Sequence, residues 1–307
     1  MTLNNAKFVI KVPASSANLG PGFDSIGVAL TLYLTLEVEK SEKWECYSKS
    51  EELKDLPTDE QHFICQIALQ TAAKYGKELH PCKIKLESDI PLARGLGSSA
   101  SAIIAGIELA DHVGELGLTK QDKLLLSTEI EGHPDNVGAS LYGGLVIGSY
   151  QQGEVDIIPI TAISFEMVAV IPKESLLTKD SRGVLPTEFS YSNAIQASST
   201  SNVLIAALLS QNWELAGKMM EKDLFHQPYR KPLIPFYGDV ENFAKTEGAF
   251  GVALSGAGPT VLCFCEKGKG RLLEQSIQST FPEMAAKLLS IDYTGSSIFT
   301  VNNCTAN

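Results

Sequence analysis

Pro91-Leu92-Ala93-Arg94-Gly95-Leu96-Gly97-Ser98-Ser99-Ala100-Ser101 is the stretch on which the reading of this chain turns. Its two glycines let the backbone turn and come close to a ligand. Its serines bring hydroxyls that can bond a phosphate or a metal-bound oxygen. The run Ala100–Leu109 that follows has helical character, with Ser98 or Ser99 as the candidate N-cap. A helix N-terminus presents unpaired N–H groups and the positive end of the macrodipole, so the segment reads as an anion cradle. It is not a Walker loop, because no Gly-Lys-Ser/Thr follows a four-residue gap. Gly95–Ala100 does match G-x-G-x-x-A, but that dinucleotide fingerprint needs a buried strand running straight into the first glycine. Here Lys83-Ile84-Lys85-Leu86-Glu87 alternates polar and apolar, as a sheet with one solvated face does, and seven residues separate Glu87 from Gly95. On composition alone, a plain glycine-serine turn opening an ordinary helix stays open.

Outward from the cradle, Glu60–Tyr75 has the spacing of a packing helix, and Thr119–Glu131 that of a helix opened by Thr119 and Asp122. Pro134 breaks the latter, and Asp135-Asn136 opens a fresh turn before the strand Leu145-Val146-Ile147. Glu131, His133, Asp135 and Asn136 crowd that boundary, which suggests a site, with a capping network as the alternative. Upstream, Lys7–Val12 is a strand closed by Pro13, and the stretch to Gly27 is dense enough in turn formers to predict a long hairpin loop. Asn18 and Asp24 in that loop could hold a small substrate. Val28–Lys40 is a long strand, Tyr33 and Trp44 are core or edge residues, and Phe165–Pro172 is a strand. Ala194–Ser210 and Trp213–Leu224 are helices, while Arg182 and Arg230 lie in irregular, proline-flanked stretches. Phe250–Cys265 reads as two apolar strands joined by Ser255–Thr260.

The cradle, the polar turn at Glu131–Asn136 and the glycine hairpin at Ser255–Thr260, in that order, resemble the motifs of the GHMP kinases. Pro13-Ala14-Ser15-Ser16-Ala17-Asn18-Leu19-Gly20-Pro21-Gly22-Phe23-Asp24 resembles the substrate motif of the homoserine kinase branch, and the likeness spans nearly the whole chain. The resemblance implies an α+β fold of two domains, an N-terminal ATP-binding domain over 1–160 and a C-terminal α/β-sandwich domain over 161–307. It implies an ATP-dependent kinase that phosphorylates the side-chain hydroxyl of L-homoserine to O-phospho-L-homoserine in threonine biosynthesis. Carried over residue by residue, Pro91, Leu92, Ala93, Arg94, Gly95, Leu96, Gly97, Ser98, Ser99, Ala100 and Ser101 would cradle ATP. Ser98 and Glu131 would hold Mg²⁺, and two protein oxygens suffice for that ion. Asn18, Asp24, Asn136, Arg182 and Arg230 would bind the amino acid, the arginines its carboxylate. Asn136 and Thr178 would sit at the reacting atoms, and His133 would be structural.

In mevalonate and galactose kinases an aspartate of this turn is the general base. Counting back from Gly143-Gly144 puts Asn136 at its position, and an amide cannot accept a proton at neutral pH. The resemblance therefore implies catalysis by positioning and electrostatics, with Asp135 as a rival base. A GHMP kinase acting on another small alcohol, and a relative that binds without catalysis, are the alternatives.

At 307 residues the chain is long enough for two cores, and 44% hydrophobic with 20% charged residues is an ordinary globular balance. No apolar run approaches the roughly 20 residues of a membrane span, and Met1–Lys7 shows no signal-peptide pattern. A net charge of −11 argues against nucleic acid, whose phosphates need a basic face. The six cysteines form no CxxC pair, which speaks against zinc and for buried thiols in a reducing cytoplasm. The expected partners are thus ATP and L-homoserine, with neither nucleic acid nor membrane. The resemblance admits a homodimer without requiring one.

Overall fold

Pro13 does not close the first strand. In the computed structural model, which describes residues 7–50 and 53–300, β1 runs Phe8–Asn18 and pairs antiparallel with β2, Gly22–Lys40. The expected long loop shrinks to a turn at 19–21. Breaks in register between Pro13 and Ala14 and between Ala17 and Asn18 absorb the irregular residues, as bulges do where a proline lacks its N–H. Asn18 and Asp24 sit where the pair reverses, both at positive φ (75° and 54°), a region Asn and Asp tolerate better than most residues.

β2 is the spine of a seven-stranded sheet. Along it lie β4, Cys82–Ser88, with β3, Glu45–Ser48, parallel to β4 at the edge. Near its start β2 also pairs β5, Leu145–Gln151, which carries β6, Glu154–Ile160. The far edge is β11, Ser297–Thr300, hydrogen-bonded to β1. The end of the chain thus returns to the first sheet, so its last strand falls on the far side of a division at 160/161.

Four helices cover this sheet. The first is α1, Phe63–Lys74, capped by the His62 ring, which accepts from the Ile64 N–H. α2 is Ser98–Gly114, and α3 is Lys120–Glu131, opened by the reciprocal Thr119–Asp122 capping box and closed by Gly132. Where a mere turn was expected after Pro134, the chain forms α4, Pro134–Tyr142, with the proline at the first helical position that suits its missing N–H. α2 also differs at its start. Its N-cap is Gly97, left-handed at φ 72°, and Ser98 and Ser99 are its first two residues. A Cβ on Gly97 would stand 2.2 Å from the Ser15 hydroxyl, so no serine could take that place.

The second sheet is antiparallel. Its order is β10 (Ala285–Ser290), β7 (Phe165–Ile171), β9 (Val261–Glu266) and β8 (Gly251–Leu254). Between β7 and β8 run α5 (Thr178–Gly183), α6 (Tyr191–Leu209), α7 (Trp213–Met220), α8 (Gln227–Arg230) and α9 (Tyr237–Thr246), and α10 (Gly270–Thr280) joins β9 to β10. The arginine-bearing stretches expected to be irregular are the short helices α5 and α8. One apolar core runs under both sheets, and a second lies between the β8–β9 pair, α9 and α10. Tyr33, half-buried on the central strand β2, donates to the Asp292 carboxylate at 2.9 Å.

Cys46, Cys65, Cys82, Cys263 and Cys265 are free and buried, and Cys304 lies outside the described residues, as does Met1–Ala6. Spacing alone could not show that Cys46 and Cys65 meet at 3.4 Å beside His62. Among the described residues no helix is long and apolar enough to cross a membrane.

Candidate active site

The start of α2, the α3–α4 junction, the β1–β2 reversal, α5, α8 and the β8–β9 turn converge on one cleft. Asn18, Asp24, Ser98, Glu131, Asn136, Thr178, Arg182 and Arg230 all line it. Residues as far apart as 18 and 230 in sequence meet there because the β8–β9 turn docks on the cradle. Ser255 Oγ donates to the Gly95 carbonyl at 2.6 Å and contacts Ser16 Oγ at 2.8 Å. The Gly256 carbonyl accepts from Asn18 Nδ2 at 3.1 Å and from Arg230 Nη1 at 3.0 Å.

The cradle divides its residues. Ala93, Gly95, Gly97, Ser98 and Ser99 face the cleft, whereas Leu96 and Ala100 are buried in the core. Arg94 is absent from the cleft wall and donates to the backbone carbonyls of Leu92, Pro172 and Lys173. Pro91, Leu92 and Ser101 are absent from the cleft wall. Pro91 lines a groove beyond the cradle, while Leu92 and Ser101 line a small apolar cleft with Leu53, Leu56, His62 and Ile64. Ser98 borders both cleft and apolar pocket. No motif of the sequence marks this pocket. Its one local signal is the pair Leu53 and Leu56 in an otherwise polar stretch.

The serine that touches Glu131 is the neighbour of the one expected. Ser99, not Ser98, sends its hydroxyl to Glu131, donating to Oε2 at 3.3 Å. The reason is helical phase: successive residues at a helix start point about 100° apart, and Ser99 is the one turned to the end of α3. Burial pushes the Glu131 carboxyl above the usual carboxylate range, with His133 opposing.

His133, expected to be structural, lines the cleft and lies with Nδ1 2.5 Å from Asp135 Oδ1. Burial works against its protonation, but the Asp135 carboxylate overrides this and raises its pKa. Asp135 is fully buried. Its Oδ1 also accepts the Asn136 N–H at 2.7 Å, and its Oδ2 finds no partner among the described residues. Asn136 donates through Nδ2 to Ser15 Oγ at 3.0 Å, which fixes its amide.

At the opposite wall Arg182 Nη2 pairs with Asp24 Oδ1 at 2.7 Å, and Asp24 N–H donates to Asn18 Oδ1 at 3.0 Å. Arg230 is buried and donates from Nε to the Ser181 carbonyl at 3.2 Å. Burial, then the neighbouring Arg182, lower its pKa to about 10, so it stays charged at neutral pH. The Phe23 ring neighbours both guanidinium groups, its centroid 5.5 Å from Arg182 Cζ and 5.3 Å from Arg230 Cζ.

Family models for the GHMP kinases N-terminal domain and the GHMP kinases C-terminal domain match residues 62–144 and 204–283. The chain is 49% identical over 295 residues to a homoserine kinase of Bacillus licheniformis, covering 96% of each. It is 50% identical over 291 residues to that of Bacillus velezensis, covering 95% of this chain and 94% of the relative. The chain belongs to the homoserine kinase family of GHMP kinases. The solved homoserine kinase of Cytophaga hutchinsonii superposes with a TM-score of 0.84 at 25% identity, covering 97% of this chain and 99% of that one. The GHMP N-terminal match thus carries the cradle and the polar turn, while the C-terminal match carries Arg230 and the β8–β9 turn.

Proposed function

We infer that the chain transfers the γ-phosphoryl group of ATP to the side-chain hydroxyl of L-homoserine, a step of threonine biosynthesis. The observation that carries the substrate is the charge arrangement of one wall. Asp24, Arg182 and Arg230 set one carboxylate and two guanidinium groups in the cleft that the N-terminus of α2 enters from the other side. A molecule with an ammonium and a carboxylate at one end and a hydroxyl at the other matches both walls. Its ammonium meets Asp24 and its carboxylate meets the arginines, which places the hydroxyl toward α2 and Asn136. In the free protein Asp24 and Arg182 neutralise each other, and a zwitterion can replace both halves of that pair where a neutral alcohol cannot.

The start of α2 supplies N–H groups and its dipole to the phosphates, and the apolar cleft beside Ser98 suits a nucleobase. Ser99 and Glu131 fit Mg²⁺: their donors are oxygens, and the crowded Glu131 carboxylate would gain from a cation. When bound, the ion would neutralise charge on the β- and γ-phosphates. The residues of the chain position the hydroxyl and the phosphoryl group in line, which accounts for most of the catalysis in phosphoryl transfer. Asn136 and Thr178 are the polar side chains proposed nearest the reacting atoms. Asp135 has Oδ1 committed to His133 and Asn136, so any part it takes in accepting the proton would fall to its unpartnered Oδ2.

An ADP-coupled assay on the purified chain with homoserine, mevalonate and galactose tests the assignment. Turnover should be efficient only with homoserine. Efficient mevalonate turnover, or nucleotide binding without turnover of any alcohol, would overturn it.

A further inference from the structure

His226 stands immediately before α8 and is completely buried, yet it contributes nothing to the cleft wall. Three contacts define it. Its Nε2 lies 2.9 Å from the Gly20 carbonyl, an acceptor only, so that nitrogen carries the hydrogen. The neutral ring then keeps its lone pair on Nδ1, which faces Arg230 Nη1 at 3.3 Å and accepts from it. The ring face stacks on Phe23, with centroids 5.4 Å apart and planes at 22°.

The nearby Asp223 carboxylate is already engaged by the N–H groups of Phe225, His226 and Gln227, and its Oδ2 is 3.3 Å from His226 Nε2. Burial and the Arg230 charge together keep His226 neutral at physiological pH, with its pKa lowered to about 3.

Arg230 explains the arrangement. A guanidinium has five N–H groups. Nε donates to Ser181, and the two hydrogens of Nη1 go to Gly256 and to His226. Nη2 makes no such bond among the described residues, and the side chain borders the cleft. The back edge of the fork is thus fully tied down, and the Nη2 edge is left for a ligand.

We propose that His226 is a positioning residue for the carboxylate clamp, holding Arg230 from behind through Nδ1 and fastening it to the 18–24 turn through Gly20. The proposal rests on the reading of homoserine as substrate. It couples the two halves of the substrate site, since the turn bearing Asn18 and Asp24 and the helix bearing Arg230 share this one imidazole.

The test compares His226→Asn, His226→Gln and His226→Phe in the full chain. Asn can place an acceptor where Nδ1 stood, Gln can place a donor where Nε2 stood, and Phe keeps only the stack. A hydrogen bond to a charged group is worth enough that losing it should raise KM for homoserine about tenfold or more in the Phe and Gln variants. The Asn variant should stay within about threefold, and KM for ATP should not follow the homoserine trend. With 3-aminopropan-1-ol, which is homoserine without its carboxylate, the penalty in the Phe variant should be at least fivefold smaller, on the order of the noise between preparations.

Equal penalties for both alcohols, or a rise in KM for ATP matching that for homoserine, would show a merely structural histidine. If the Phe variant does not fold, the order of Asn above Gln decides, and Gln equal to or better than Asn overturns the proposal. Parent enzyme that does not turn over homoserine would overturn the substrate reading itself. Parent that does, with an unchanged KM in the variants, overturns the role of His226 alone.

Discussion

Glu131 and Ser99 meet across the cleft floor, and a cation at that point would relieve the carboxylate that burial disfavours. Glu131→Gln should therefore lower kcat by at least about tenfold at saturating magnesium, because charge on the transferring group loses its counterweight. Ser99→Ala should raise the magnesium concentration needed for half-maximal rate more than Ser98→Ala does, as read from activity titrations against Mg²⁺. At the other wall Arg230→Ala removes a desolvated charge contact worth roughly 2–5 kcal/mol, a loss of about 30-fold or more in kcat/KM for homoserine with KM for ATP nearly unchanged. Asp135→Asn should give a folded, partly active enzyme. A loss of about 10²–10⁴-fold in kcat with both affinities intact would instead make Asp135 the proton acceptor.

The element that matters most is α2, held in place at both its start and its flank. Gly95 is left-handed at φ 74°, and a Cβ there would stand 2.2 Å from the Ser255 carbonyl. Gly95→Ala should push the cradle off the β8–β9 turn, lowering the melting temperature by several degrees and weakening ATP binding, as calorimetry would read. On its flank Lys123 of α3 sits 2.7 Å from Glu108 and 2.6 Å from Asp111, both on α2, and Ser296 donates to Glu108 at 2.6 Å.

Removing a buried partner strands the other charges. Lys123→Met should thus cost about 3–5 kcal/mol in urea unfolding. Burial works against the Lys123 charge, but the two carboxylates outweigh it and raise its pKa above 10.5. A raised lysine contributes stability in full below its unfolded value and loses it as pH climbs through the folded one. The gap between parent and variant should therefore hold through neutral pH and close only above about pH 10.5.

At the scale of the whole molecule, β11 returns to β1 and the β8–β9 turn docks on β1 and the cradle, so the two sheets enclose the site between them. His226 lies at that junction, and its pKa lowered to about 3 is a statement about folding. Between about 6.5 and 3 the unfolded chain binds a proton that the fold refuses. This histidine therefore removes stability as pH falls below about 6.5, by up to about 1.4 kcal/mol per pH unit. Urea unfolding at pH 7.5 and pH 5 should show a smaller acid loss in His226→Phe than in the parent. An equal loss would mean that His226 takes its proton without unfolding.

What the sequence determined by itself was whatever the backbone enforces locally. Thr119 and Asp122 open α3 and Pro134 ends its pattern, so the cradle and the polar junction were legible from a few neighbouring residues each, although the Gly97 cap of α2 and the helix that Pro134 begins were not. The order of these motifs was enough to indicate the family and its substrate. Tertiary structure alone decided which groups face one another. Helical phase chose Ser99 over Ser98 for Glu131, and strand pairing drew Pro13–Asn18 out of a loop and into β1. Docking of distant segments put His226 behind Arg230 and Leu53 beside Ser98. Those outcomes depend on contacts between residues as much as 206 positions apart, as His226 and Gly20 are, and no local preference of the chain encodes the direction in which such side chains finally point.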